Sequence, residues 1–174
     1  MTVLSDRSIR EMVETGHIGI SPFDPARVQA CSYDLALGKM LLLVMHTTDD
    51  GTQPEPLLLD VRGRWRLHPG RLYLGATAEM LTIPDDLVGH LHGRSTSARD
   101  GIMIHQQAGL LAPGYRGCPT LEITVVYPTM LEPGTPIAQV VFEQLTSPVE
   151  RPYRGRYQGD RIPWSGIHQT KRHT

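Results

Sequence analysis

Apolar positions repeat at helical spacing only near the start of the chain. Ile9, Met12 and Val13 fall on one side of a helix. Ser5 is placed to cap it, Asp6 suits its first turn, Leu4 and Ile9 are spaced as a hydrophobic staple, and Gly16 is a natural stop. Ser21-Pro22 marks a turn within 18–24, and from there the pattern is that of strands. Leu72, Leu74, Ala76, Ala78 and Met80 share one face of an alternating run over 71–80. Pro84-Asp85-Asp86 turns the chain into a strand over 87–91. Further strands are predicted over 102–105, 120–126 and 137–145, with turns at Pro113-Gly114 and Pro133-Gly134. The polar stretch 47–55 reads as a loop. After Pro148 hydrophobic periodicity fades, so 148–174 reads as a tail, either disordered or ordered by a ligand or a neighbouring subunit. Short strands with frequent Gly and Pro predict a mainly β, distorted barrel or jelly-roll-like domain with a short N-terminal helix. No repeat or linker divides 1–174, which is expected to be a single domain.

Composition narrows the function classes. The chain has 174 residues, 40% hydrophobic and 20% charged, with a formal net charge of −1. There is no basic excess of the kind that nonspecific binding to a nucleic-acid polymer requires. A small phosphorylated ligand needs only a few local cations. The longest apolar run, 40–45, is strand-sized, and no signal core opens the sequence, so no membrane association and a cytoplasmic location are expected. Two cysteines, Cys31 and Cys118, do not make a disulfide scaffold.

Three segments could carry chemistry. Gly93-Arg94-Ser95-Thr96-Ser97-Ala98-Arg99 puts two guanidinium groups and three hydroxyls into seven residues after a strand. Such a turn can bind phosphate oxygens, and it reads equally as a capped short helix with surface arginines. The segment from His105 to Gly117, with Ala108-Gly109, Ala112-Pro113-Gly114 and Tyr115, lets a ligand approach the backbone closely. Tyr115 could pack on a sugar, and an ordinary hairpin fits the same residues. In Thr120-Leu121-Glu122-Ile123-Thr124 a carboxylate sits in an otherwise apolar and β-branched strand. Burial would make Glu122 a proton shuttle near neutral pH, whereas alternation also permits a water-facing Glu122. His90-Leu91-His92 offers two imidazoles on one face but no third ligand. The chain has no His-x-Glu paired with Pro-Cys-x-x-Cys, the zinc deaminase pattern, and no Gly-x-Ser-x-Gly elbow.

Together these segments resemble the dCTP deaminase family of the dCTP deaminase and dUTPase superfamily. The resemblance runs through Leu4-Ser5-Asp6-Arg7, 18–24, Ser32-Tyr33-Asp34-Leu35, Leu67-His68-Pro69-Gly70, 93–99, Ala108-Gly109, Leu121-Glu122, Pro152-Tyr153 and Arg156-Tyr157-Gln158-Gly159. It implies a dUTPase-type distorted β barrel, a homotrimer with sites between subunits, and a tail over 148–174 that covers the nucleotide. It implies zinc-independent deamination of a cytosine nucleoside triphosphate, with Glu122, Ser95, Arg99 and Ala108 as the catalytic set. Arg94, Thr96, Ser97, Gly109, Ala112, Tyr115, Thr120, Leu121, Gln139, Tyr153, Arg156 and Gln158 would line the substrate. Magnesium would arrive through the triphosphate rather than on a protein metal site.

Ala108-Gly109 resembles the bifunctional branch, which goes on from dUTP to dUMP and diphosphate; the monofunctional branch tends to have His after the alanine. Ala112 stands where the family usually has an Asp that meets the sugar 3′-hydroxyl. Gln107 replaces a usual Thr, Arg156 a usual Lys, and Asp160 a common Gln. These departures raise a shifted substrate, such as a ribonucleotide or a modified sugar or base. Tyr115 and Gly109 keep in view a uracil-nucleotide diphosphatase without deamination, which Ala112 argues against, and Ala112 keeps in view a non-catalytic nucleotide-binding trimer.

Overall fold

A computed structural model describes residues 2–47, 51–104 and 108–163. The chain begins with β1 (Thr2–Val3) and helix α1 (Asp6–Glu14). Ser5 caps the helix, its Oγ accepting from Ser8 N at 3.4 Å, and both Leu4 and Ile9 are buried. The helix gives out at Thr15 and Gly16, whose amides bond back to the Glu11 and Val13 carbonyls. Next come β2 (Gly19–Ser21), a 3₁₀ turn at Pro25–Arg27, and the long strand β3 (Tyr33–Thr47).

The remaining elements are short. They are β4 (Gly51–Pro56), β5 (Trp65–Leu67), β6 (Leu72–Thr77), β7 (Met80–Thr82) and β8 (Leu87–Gly93), then helix α2 (Ser95–Arg99). After it follow β9 (Ile102–Ile104), β10 (Leu110–Leu111), β11 (Arg116–Gly117), β12 (Thr120–Val125), β13 (Thr129–Leu131) and β14 (Pro136–Gln144). This is the mainly β architecture that the turn punctuation predicts.

The main sheet runs β10-β8-β14-β3-β6-β12-β9, with β1 added to β14 and β4 to β3. Every pairing is antiparallel. β3 changes partners along its length. Residues 33–36 pair with β14, and after a register shift between Leu37 and Leu41 the strand pairs with β6 on one edge and β4 on the other. That shift lets one strand turn the corner of a curled sheet. Small sheets of β11-β7-β2 and β13-β5 close the ends. The core is built from the inward faces, among them Tyr33, Leu35, Trp65, Tyr73, Leu121, Ile123, Val140 and Phe142.

Two sequence expectations change. The run over 71–80 is not one strand: β6 ends at Thr77 and β7 begins at Met80. The break is held by Glu79, which is only 1% exposed. Its carboxylate accepts from Ala36 N at 3.0 Å and pairs with Arg27, while its carbonyl accepts from Thr77 Oγ1 at 2.7 Å. The stretch 47–55 is not wholly a loop either. Residues 51–56 form β4 against β3 despite Pro54 and Pro56, because β4 is an edge strand whose outer side has no ladder to complete. His105, Gln106, Gln107 and residues 48–50 and 164–174 lie outside the described residues.

Candidate active site

Three parts of the chain carry the candidate residues. The first is the junction of β8 and α2. Arg94 occupies the N-cap position in extended conformation, and no side chain caps the helix. Ser95, Thr96 and Arg99 are exposed, whereas Ser97 turns inward and is buried. Arg94 is held: Nε lies 3.0 Å from Asp34 Oδ2, and Nη1 donates to the Pro136 carbonyl at 3.2 Å. Gln139 also works here. Its Oε1 accepts from Ser32 Oγ at 2.9 Å and its Nε2 donates to the Gly93 carbonyl at 3.2 Å. Both ends of its amide are therefore engaged within the chain.

The second part is β12. Its strict alternation buries Leu121, Ile123 and Val125 in the core and puts Thr120, Glu122 and Thr124 on the opposite, half-buried face. Glu122 lies across from Leu74 of β6. Leu121, with its side chain in the core, has only its backbone to offer a ligand. Among the described residues no hydrogen bond or ion pair joins Glu122 to Ser95 or Arg99 within one chain.

The third part is the 108–118 segment with the tail. Gly109 runs against β8, its carbonyl accepting from Leu91 N at 2.7 Å; a Cβ there would stand 2.7 Å from the Leu91 carbonyl oxygen. Ala108 is exposed and Ala112 half-buried, the Ala112 carbonyl accepting from Tyr115 N at 3.0 Å. Tyr115 is buried and packs on Tyr153 with ring centroids 5.9 Å apart. Burial pushes its hydroxyl well above the ordinary tyrosine range, so it stays protonated.

The tail is ordered by its own chain over residues 149–160. Tyr153 N donates to the Pro113 carbonyl, Gly159 N to the Arg116 carbonyl and Cys118 N to the Asp160 carbonyl. Gln158 completes the ladder with its side chain, donating to the Gly114 carbonyl at 2.9 Å and accepting from Arg116 N at 3.0 Å. The contacts are polar and made largely by backbone, which explains why hydrophobic periodicity gave no sign of them. Arg156 is exposed on this strap. Asp34 and Ser32 were given no role by the residue patterns. The sign that could have found Asp34 is a lone carboxylate inside the apolar run of β3, which demands a buried partner.

The structure thus brings Arg94 and Gln139 together through Gly93, and Tyr115, Tyr153 and Gln158 together around Gly114, with no hydrogen bond or ion pair from Glu122 to Ser95 or Arg99 among the described residues. The fold is a curled, mainly β sheet in which a short helix follows β8 and a carboxylate stands on β12. The profile of the dCTP deaminase-like family matches residues 3–145, and the chain belongs to that family. The relative from Beutenbergia cavernae named "dCTP deaminase, dUMP-forming" is 38% identical over 186 residues, covering 98% of this chain and 97% of its own. A Mycobacterium avium protein of the same name is 40% identical over 176 residues, covering 92% and 93%. The solved 2′-deoxycytidine 5′-triphosphate deaminase from Agrobacterium tumefaciens shares the fold at a TM-score of 0.65 and 21% identity, over 82% of this chain and 47% of that one.

Proposed function

We propose that this protein hydrolytically deaminates dCTP and releases dUMP and diphosphate. The observation that carries the reading is near full-length identity to relatives named as dUMP-forming dCTP deaminases. It is supported by retention of Ser95, Arg99, Ala108-Gly109 and Glu122. Glu122 takes one proton from the attacking water and delivers it to N3 of the cytosine ring as the C4–O bond forms; it then passes the proton of the new C4 hydroxyl to the amino group, whose bond to C4 breaks as ammonia leaves. Ser95, Arg99 and the backbone near Ala108 orient that water and stabilise the charge that develops. A second water then releases diphosphate from the α-phosphorus. Arg94 and Thr96, with Tyr153 and Arg156 of the tail, hold the phosphates.

Among the described residues Glu122 makes no bond to Ser95 or Arg99 of its own chain, and this reading takes the site as shared between adjacent copies of a homotrimer. Light scattering that gives a monomer at working concentration would contradict it. Magnesium fits as a hard cation carried by triphosphate oxygens, where it neutralises phosphate charge. Among the described residues no three His, Cys, Asp or Glu side chains gather as a metal-ligating group. No described helix is long and apolar enough to cross a membrane, and a cytoplasmic enzyme is proposed.

The deciding experiment incubates the protein with dCTP, CTP and dUTP and follows ammonia, diphosphate and the nucleotide products. Ammonia, diphosphate and dUMP from dCTP are expected. Absence of ammonia from every cytosine nucleotide overturns the reading. Ala112 favours one variant of it, a shifted sugar preference, which the same panel reads through the ranking of dCTP against CTP.

A further inference from the structure

Asp34 is a carboxylate in a strand whose neighbours Tyr33, Leu35, Ala36 and Leu37 are all buried. Its side chain is only 9% exposed, and a carboxylate so placed must be paired. Arg94 supplies the charge through Nε at 3.0 Å, and Gln29 Nε2 donates to the same Oδ2 at 3.3 Å. The Arg94 side chain as a whole is 30% exposed, so it is reached by solvent while paired with this buried partner. Nε and Nη1 are taken by Asp34 and the Pro136 carbonyl; Nη2 has no hydrogen-bond partner among the described residues.

The backbone beneath Arg94 is fixed from the same side. On β14, Gln139 stands opposite Asp34 of β3 and His92 of β8. Its amide grips the Gly93 carbonyl and the Ser32 hydroxyl. Arg94 N donates to the Ile137 carbonyl at 3.4 Å. Two strands therefore set both the position and the direction of one arginine, at the point where the sheet gives way to α2.

We propose that Asp34 is a positioning residue for nucleotide binding: it fixes the guanidinium of Arg94 so that its free end meets a substrate phosphate, without touching the nucleotide itself. This rests on the reading of Arg94 as a phosphate-holding residue. A pre-oriented guanidinium loses less side-chain freedom when the phosphate binds. The gain therefore falls on binding and not on the proton transfers that Glu122 performs.

The test is steady-state kinetics with dCTP, together with inhibition by inorganic triphosphate, on Asp34→Asn, Asp34→Glu, Arg94→Ala and the double variant D34N/R94A. Asp34→Asn is expected to raise KM for dCTP and Ki for inorganic triphosphate about tenfold, the scale of one charge-assisted contact, with kcat within about twofold. Asp34→Glu recovers part of the loss, and the double variant binds no worse than Arg94→Ala, since both changes remove one device. Wild-type KM in Asp34→Asn beside an impaired Arg94→Ala overturns this inference and leaves the phosphate reading standing. Wild-type KM in Arg94→Ala overturns both. Should Asp34→Asn fail to fold, Arg94→Lys keeps the charge but loses the fork that serves Asp34 and phosphate together. It is expected to show the same rise in KM, and an unchanged KM overturns the proposal.

Discussion

Gln158 holds the carbonyl of Gly114 at 2.9 Å, across 44 residues of sequence. With its second bond to Arg116 N, one side-chain amide takes the place of a strand residue and ties the tail to the 113–118 turn. The turn is shaped to receive it. Gly114 has φ of 86°, and a Cβ there would stand 2.6 Å from Pro152 Cβ and 2.9 Å from Tyr153 N.

Gln158→Ala should therefore release the strap without unfolding the domain. Exposed hydrogen bonds contribute roughly 1 kcal/mol each at most, so the melting temperature should change little. Amide exchange of Gly159 and of Tyr153, whose N–H groups donate from the strap to the Arg116 and Pro113 carbonyls, should accelerate, and KM for dCTP should rise. Unchanged exchange at both positions would show that the tail is held by something other than this amide.

Glu122→Gln keeps the shape of the side chain and removes the exchangeable carboxylate proton. Deamination should fall by roughly 10²–10⁴, the range for loss of a general acid–base group, while dCTP binding is nearly preserved. Ammonia release at the wild-type rate in this variant would sink the mechanism.

Ala112→Asp restores the carboxylate that the family usually carries beside Pro113-Gly114. The site is half-buried, so an added carboxylate without a partner is costly and one that meets a 3′-hydroxyl is not. For an ordinary deoxyribose, kcat/KM for dCTP should rise. For a native substrate with a different sugar, turnover of that substrate should fall. An unchanged ranking across dCTP, CTP and sugar-modified analogues would remove Ala112 as a determinant of sugar choice.

Glu79 gives a pH dependence. Burial pushes its carboxyl above the usual range, against the lowering effects of the backbone bonds and the Arg27 charge. The folded protein thus binds this proton more tightly than the unfolded chain. The contribution to stability is fully present below about 4.3, the value for unfolded glutamate, and is lost as pH rises through the higher folded value. Glu79→Gln has no such proton, so urea midpoints measured across this window should show wild type losing stability relative to the variant as pH rises. A constant difference would refute the assignment.

The sequence was most legible where one local rule decides. Ser5 and Ile9 mark the helix by capping and spacing, and alternation groups Glu122 with Thr124 on one face of β12, although which face is buried stays open until the structure shows Leu121, Ile123 and Val125 in the core. It was least legible where distant chain segments decide. The stretch 47–55 reads as a loop because it is polar, yet residues 51–56 pair along the open edge of β3. The alternation over 71–80 continues past Thr77, yet Glu79 interrupts the strand by bonding to Ala36, more than forty residues away. At the candidate site, the turn over 93–99 is legible as residue types, but the pairing of Arg94 with Asp34 depends on β14 lying between β3 and β8.

That arrangement also governs how the polypeptide can be made. β14 lies between β8 and β3 and also carries β1, although β3 precedes it by about a hundred residues. Until residues 136–144 leave the ribosome, β3 and β8 each present an open edge toward a neighbour that does not yet exist. Open edges of this kind invite pairing with other nascent chains, and closure over such long separations is slow. The domain is therefore expected to stay unfinished until residues 136–144 have emerged, which makes the stretch of message leading up to β14 the place where a stalled ribosome would do most harm.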